Sequence, residues 1–155
     1  MPHIDNQVIV NASVGDVYAI AKRVEDFPNY ISDVESITVL ERSADGTRTV
    51  TDWVGVVKDF KIKIHWVEED IWDDDNMACA FRQIKGDYQQ YNGSWNFSQT
   101  AEGGTTFASH IEYDIEIPLI GPLLKALVAK LMKSNAQRIL DAIKAEAERK
   151  QLTVS

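Results

Sequence analysis

Apolar and polar residues change their spacing twice along this chain of 155 residues. Ile4, Val8 and Val10 are the apolar members of a first extended segment, His3 to Asn11. Val14, Val17, Tyr18, Ala21 and Val24 then recur every three or four residues, which predicts an amphipathic helix over Ser13 to Val24. Ser13 is its N-cap, and Asp16 stands in the first turn, where a carboxylate suits the positive end of the helix dipole. Pro28 disfavours helical backbone at Phe27, so Phe27-Pro28-Asn29-Tyr30 ends the helix and a second short helix or turn carries Tyr30 and Ile31.

From Val34 the period is two. Val34 to Arg42, Arg48 to Val57, Phe60 to Trp72, Asn76 to Lys85, Gly93 to Thr100 and Thr105 to Ile117 read as strands. The separators between them are short and turn-prone, among them Asp45-Gly46, Gly86-Asp87 and Gly103-Gly104, so the strands form antiparallel hairpins. Phe60, Ile62, Ile64 and Trp66 alternate with Lys61, Lys63, His65 and Val67. Phe107, Ser109, Ile111, Tyr113, Ile115 and Ile117 alternate with Ala108, His110, Glu112, Asp114 and Glu116. Such a sheet is apolar on one face and wet on the other. Proline at a first helical position in Gly121-Pro122 opens a long helix running to about Arg149. Its stripe of Leu124, Leu127, Val128, Leu131, Asn135, Ile139 and Ala142 is the natural cover for the apolar face.

Composition narrows the partners. Twenty-four acidic residues against 16 basic ones give a formal net charge of -8, which argues against nucleic acid or an anionic membrane as the main partner. Lys58, Lys61 and Lys63 read as the wet face of a strand. Cys79 is the sole cysteine, so neither an intrachain disulfide nor a cysteine metal cluster is expected. The first residues lack the basic and apolar regions of a secretory signal, and the most apolar stretch, Ile117 to Met132, is broken by prolines and lysines. The expectation is one cytoplasmic domain over residues 1–155, with no cofactor and no metal. Nucleophile elbows, phosphate-binding glycine loops and His-Glu-x-x-His motifs are missing from the sequence. Asp73-Asp74-Asp75 reads as an acidic hairpin tip.

In this order, Val8-Ile9-Val10-Asn11-Ala12, Phe27-Pro28-Asn29-Tyr30, Val34 through Arg42, Gly86-Asp87 and Gly93-Ser94-Trp95-Asn96-Phe97 resemble the polyketide cyclase/dehydrase branch of the START-like superfamily. This is the helix-grip, birch-pollen-allergen-like superfamily, and within it the chain resembles the small bacterial proteins related to the coenzyme-Q-binding START-like proteins. The resemblance implies an α+β helix-grip fold: a curved antiparallel sheet of about seven strands around a long C-terminal helix, with two short helices after strand 1. An apolar cavity lies between sheet and helix in that fold.

The residues expected to line it are Phe27, Tyr30, Phe60, Ile62, Ile64, Trp66, Phe81, Trp95, Phe97, Ile111, Tyr113, Leu124, Leu127, Val128, Leu131 and Asn135. An aromatic, weakly polar pocket of this kind suits a hydrophobic small molecule such as an isoprenoid quinone, lipid or polyketide-like compound. Asn135 interrupts an apolar stripe, so its amide needs a partner: a backbone carbonyl, a buried water or a ligand. Asp52, Gln83 and Ser109 are further polar candidates. If the protein is instead a cyclase, aromatase or dehydratase, the resemblance implies that Arg82 and Tyr113 orient and polarise the substrate. A third alternative is a ribosome-associated or other protein-interaction module. The apolar connection Ile117-Pro118-Leu119-Ile120-Gly121-Pro122-Leu123-Leu124 either closes one end of the core through Leu119, Ile120 and Leu123 or forms an exposed rim, where any membrane contact is transient.

Overall fold

The computed structural model describes residues 2–57, 62–115 and 122–154. Its strands are β1 (His3–Val10), β2 (Val34–Arg42), β3 (Arg48–Val57), β4 (Ile62–Asp73), β5 (Ala78–Gly86), β6 (Gln90–Gln99) and β7 (Thr105–Asp114). They form one antiparallel sheet in the order β1-β7-β6-β5-β4-β3-β2. Strands β2 to β7 are neighbours in chain order, as short hairpins dictate, and β1 returns to close against β7. Helix α1 (Val14–Lys22) and a 3-10 helix (Val24–Asn29) follow β1, and α2 (Pro122–Val154) ends the chain.

Local chemistry sets these boundaries. The Ser13 hydroxyl accepts a hydrogen bond from the Asp16 N–H at 3.3 Å, capping α1. The second short helix begins at Val24 and not at Tyr30, which is its C-cap. Pro28 sits inside it because the fixed φ of proline suits the tighter 3-10 backbone. Strand β6 starts three residues before Gly93, since Gln90, Tyr91 and Asn92 already pair with Asp114, Tyr113 and Glu112. The expected β7 residues Glu116 and Ile117, like the rim residues up to Gly121, lie outside the described residues, as do Lys58, Phe60 and Lys61.

The inner sheet face follows the alternation. Thr105, Phe107, Ser109, Ile111 and Tyr113 of β7 are all buried. On β4, Ile64 and Trp66 face inward while Lys63 and His65 are exposed, as the lysine pattern requires. The same face continues through Glu68, Asp70 and Trp72, each buried.

Helix α2 lies over this face along a seam shifted from the expected one. Ala136, Leu140, Ile143 and Ala147 are buried, with Met132, Asn135 and Ile139 beside them. Leu127, Val128 and Leu131 are half-buried, outside the buried cluster. The polar flank fixes this rotation. Gln137 accepts from the Asn6 amide at 2.9 Å, Lys144 donates to the Ile9 carbonyl at 2.7 Å, and Arg138 pairs with Asp33 at 2.6 Å. Those anchors tie α2 to β1 and to the start of β2, and they turn the later apolar row inward.

Candidate functional site

Between α2 and strands β3 to β7 lies a cavity with about 80 Å3 open to the centre of a water-sized sphere. One water needs roughly 10–15 Å3 by that measure, so the space is several waters wide. All four tryptophans of the chain, Trp53, Trp66, Trp72 and Trp95, line it, together with Phe81, Tyr88 and Tyr91. Trp53 and Trp66 stack at 5.5 Å, and Tyr88 stacks on Tyr91 at 4.6 Å. Ile64, Ile111, Met132, Ile139 and Leu140 complete the apolar wall.

Two close backbone approaches make this wall. A Cβ on Gly86 would come within 2.5 Å of the Trp66 Cα, so glycine lets β5 press against Trp66. A Cβ on Gly93 would strike the His110 carbonyl and the Phe81 ring, so glycine leaves Phe81 its place. Beyond Gly86 the chain is pinned at both ends. The Asp87 carboxylate accepts from the His65 N–H at 2.7 Å, and the Gln83 side chain bonds both the N–H and the carbonyl of Tyr88. Tyr88 is thereby held inside.

A pair of carboxyl groups is buried in the same wall. Glu68 and Asp70 are hydrogen-bonded to each other, with Glu68 as donor. The Trp66 indole donates to Glu68 at 2.7 Å; the Thr49 and Thr51 hydroxyls donate to Asp70 at 3.1 and 2.9 Å. Trp53 donates in turn to the Thr51 hydroxyl at 2.8 Å. Burial, reinforced by the neighbouring Asp70, pushes the Glu68 carboxyl well above the usual carboxylate range. Burial also raises Asp70, against the pull of its hydrogen bonds. The cavity therefore holds a proton-sharing acid pair within an aromatic shell.

Two further polar atoms at the cavity are buried without a hydrogen-bond partner: the Ser109 hydroxyl and the Asn135 side-chain oxygen. Both residues were candidates on sequence grounds. Of the other expected wall residues, Ile64, Trp66, Phe81, Trp95 and Ile111 reach the cavity. Phe27, Phe97 and Tyr113 are instead packed into the core, and Tyr30 rests half-buried on Phe27 at 6.0 Å. Leu127, Val128 and Leu131 stay off the wall because of the α2 rotation. Phe60 and the side chains of Ile62 and Leu124 lie outside the described residues.

Arg82 does not reach the cavity. It projects from the outer face, its side chain 64% exposed, and pairs with Glu69 at 3.0 Å. Asp52 also faces outward and meets His65 at 2.6 Å. Asp74 of the acidic hairpin tip is engaged by Tyr18 at 2.6 Å and Lys22 at 2.9 Å. Trp53, Trp72, Tyr88, Tyr91, Glu68 and Asp70 were absent from the expected wall. Alternation from Ile64 and Trp66 already placed Glu68, Asp70 and Trp72 on the inner face; their acidity masked the signal for the first two.

Over residues 10–144 the sequence matches the family described as polyketide cyclase / dehydrase and lipid transport. The chain belongs to that family. A crystal structure from Thermus thermophilus is similar to this polyketide cyclase/dehydrase family member at a TM-score of 0.88 and 34% identity, covering 96% of this chain and 98% of that one. The Zhui aromatase/cyclase from a Streptomyces species superposes at a TM-score of 0.86 with 17% identity, covering 96% and 94% of the two chains, a likeness of fold. In sequence, the actinorhodin polyketide synthase bifunctional cyclase/dehydratase of Streptomyces coelicolor is 28% identical over 137 residues. That match takes in 87% of this chain and 40% of the Streptomyces protein. The architecture is the helix-grip fold of START-like proteins. Among the described residues no helix is long and apolar enough to cross a membrane.

Proposed function

We propose that the protein binds a hydrophobic small molecule with a flat, ring-bearing body in the cavity between the sheet and α2. The carrying observation is that every tryptophan of the chain surrounds one unfilled space. Close packing is the rule in protein interiors, and an unfilled hole the size of a methyl group costs about 1 kcal/mol, so such a space needs a reason. A wall built of indole and phenol rings suits a planar ring, which can stack on them, better than a flexible alkyl chain. A quinone headgroup or a polyketide-like ring system has that shape. The family assignment supports a hydrophobic ligand, and the relatives' cyclase, aromatase and dehydratase names support ring chemistry around it.

Mass spectrometry of compounds extracted from natively purified protein, joined to tryptophan quenching by a naphthoquinone and by a long-chain alcohol, tests this reading. Saturable quenching by the ring compound, stronger than by the alcohol, is expected. A preparation that carries no apolar compound and responds to neither probe refutes it.

Catalysis on a poly-β-ketone is the second reading, and the Glu68–Asp70 pair is what favours it. A carboxyl group that burial holds protonated above the usual carboxylate range is a better-matched general acid than an ordinary one. Arg82 is on the wrong face for that role and Tyr113 is packed in the core. Cyclisation or dehydration of a poly-β-ketone, lost on Glu68→Gln with ligand binding retained, would establish this activity. Equal product distributions with and without protein would end it.

A further inference from the structure

We infer that the Glu68–Asp70 pair and Ser109 form the polar pole of the cavity and select neutral, hydroxyl-bearing ring compounds over carboxylates and other anions. This inference rests on the cavity being a ligand site.

Charge is the first support. Among the described residues, the cavity wall carries Asp33, Glu68 and Asp70 and no lysine, arginine or histidine. Asp33 is neutralised by Arg138 at 2.6 Å. The hydrogen-bond donors to the Glu68–Asp70 pair are neutral: the Trp66 indole and the Thr49 and Thr51 hydroxyls. Its first ionisation therefore leaves one negative charge inside an aromatic shell, where screening by water is weak. A ligand carboxylate or phosphate entering that shell meets repulsion and finds no cation.

The unpartnered groups are the second support. The Ser109 hydroxyl is on a residue only 3% exposed, and it has no hydrogen-bond partner. The Asn135 oxygen is a buried acceptor in the same condition. Buried polar atoms are nearly always satisfied, so both call for a partner inside the cavity, a role a ligand hydroxyl fills as a water does. Asn135 oxygen requires a donor, which a ligand hydroxyl has and a carboxylate lacks. Ser109 can donate or accept, and a hydroxyl can take either complementary role. A phenol, an enol or a hydroquinone fits all of these demands.

Isothermal titration with three probes of one shape, naphthalene, 2-naphthol and 2-naphthoate at neutral pH, tests the inference. The wild-type protein should bind 2-naphthol at least tenfold more tightly than 2-naphthoate, and several-fold more tightly than naphthalene. Ser109→Ala should bring 2-naphthol down toward naphthalene and leave naphthalene itself unchanged. Neutralising the pair with Glu68→Gln and Asp70→Asn together should shrink the preference over 2-naphthoate to about threefold or less. Asp70→Asn alone serves the same comparison if the double variant is unstable. Equal wild-type affinity for 2-naphthol and 2-naphthoate overturns the inference, as does a preference that survives neutralisation. Naphthalene binding without any preference for the hydroxyl sinks this inference and leaves the cavity's role as a ligand site standing. Binding of none of the three overturns both.

Discussion

The interior has two halves made from the same sheet face, one filled and one open. Around Phe107 the filling is complete. Phe97 stacks on Phe107 at 4.4 Å, Tyr18 meets Phe97 edge-on at 5.5 Å, and Phe27 and Phe107 are both 0% exposed. Around Trp66 the aromatic rings are as numerous, yet they enclose a void. The difference lies in what covers them. Helix α1 and the 3-10 helix supply Val17, Tyr18, Ala21 and Phe27 to the filled half, whereas the open half faces Val24 and the α2 residues Met132, Asn135, Ala136, Ile139 and Leu140. Polar placement differs in the same sense. In the filled half, Thr105 donates to the Ala12 carbonyl at 2.8 Å, while in the open half Ser109, four residues further along β7, has no intramolecular partner. One half is closed by packing and the other keeps an open space.

The largest expected effect sharpens that contrast. Phe107→Ala should cost about 3–5 kcal/mol in denaturant unfolding, because the fully packed surroundings cannot collapse around the hole. Any folded fraction should keep its affinity for ring compounds. A loss below about 1 kcal/mol would show that the filled half is not close-packed.

Glu68→Gln probes the open half through pH. The folded-state pKa of Glu68 is raised, so between the ordinary carboxylate range and that raised value the folded protein binds more protons than the unfolded chain. Stability must then fall as pH rises through this window. Cys79, Tyr88 and Tyr91 face the pair and stay neutral there, since burial raises all three. The amide should remove much of the fall and stabilise the protein by about 1–3 kcal/mol at pH 8 relative to wild type. His110, raised by its bond to Asp5, gives a slope of the same sign, but it is common to both proteins and cancels in the difference. Parallel stability-against-pH curves for the two proteins would contradict a raised Glu68.

Smaller effects separate binding from folding. Ser109→Ala should change stability by less than about 1 kcal/mol, since no intramolecular hydrogen bond is lost. Thermal unfolding read beside ligand affinity checks this, and a large drop in stability alone would assign Ser109 a structural role. Arg82→Ala should cost about 0.2–1 kcal/mol, the range for an exposed ion pair, with no change in binding. A ligand-affinity defect there would put a second site on the outer face.

Much of this contrast was legible in the sequence. Period-two alternation located β2 and β3 to the residue and set the inward face of β4. The unusual Asn135 stood out in an apolar stripe. Residue types hid the rest. Glu68 and Asp70 occupy inward positions of the strand, but carboxylates are so seldom buried that alternation alone does not mark them as wall residues. Tyr88 belongs to a turn, and its inward position depends on Gln83 and Asp87 bonds that no periodicity reports. The rotation of α2 depends on Asn6, Ile9 and Asp33, all more than 100 residues away in sequence. Arg82 was readable throughout, since Cys79 and Phe81 face inward and the next residue must face out.

The four tryptophans give the most direct measurement, because each indole N–H yields its own NMR signal and all four line the cavity. During titration with 2-naphthol, a ligand held between the sheet and α2 must shift the Trp53, Trp66, Trp72 and Trp95 indole signals along one saturable curve. Ring signals of Phe97 and Phe107 in the filled half should stay in place. Saturable binding that leaves all four indole signals unmoved would contradict the cavity as the ligand site.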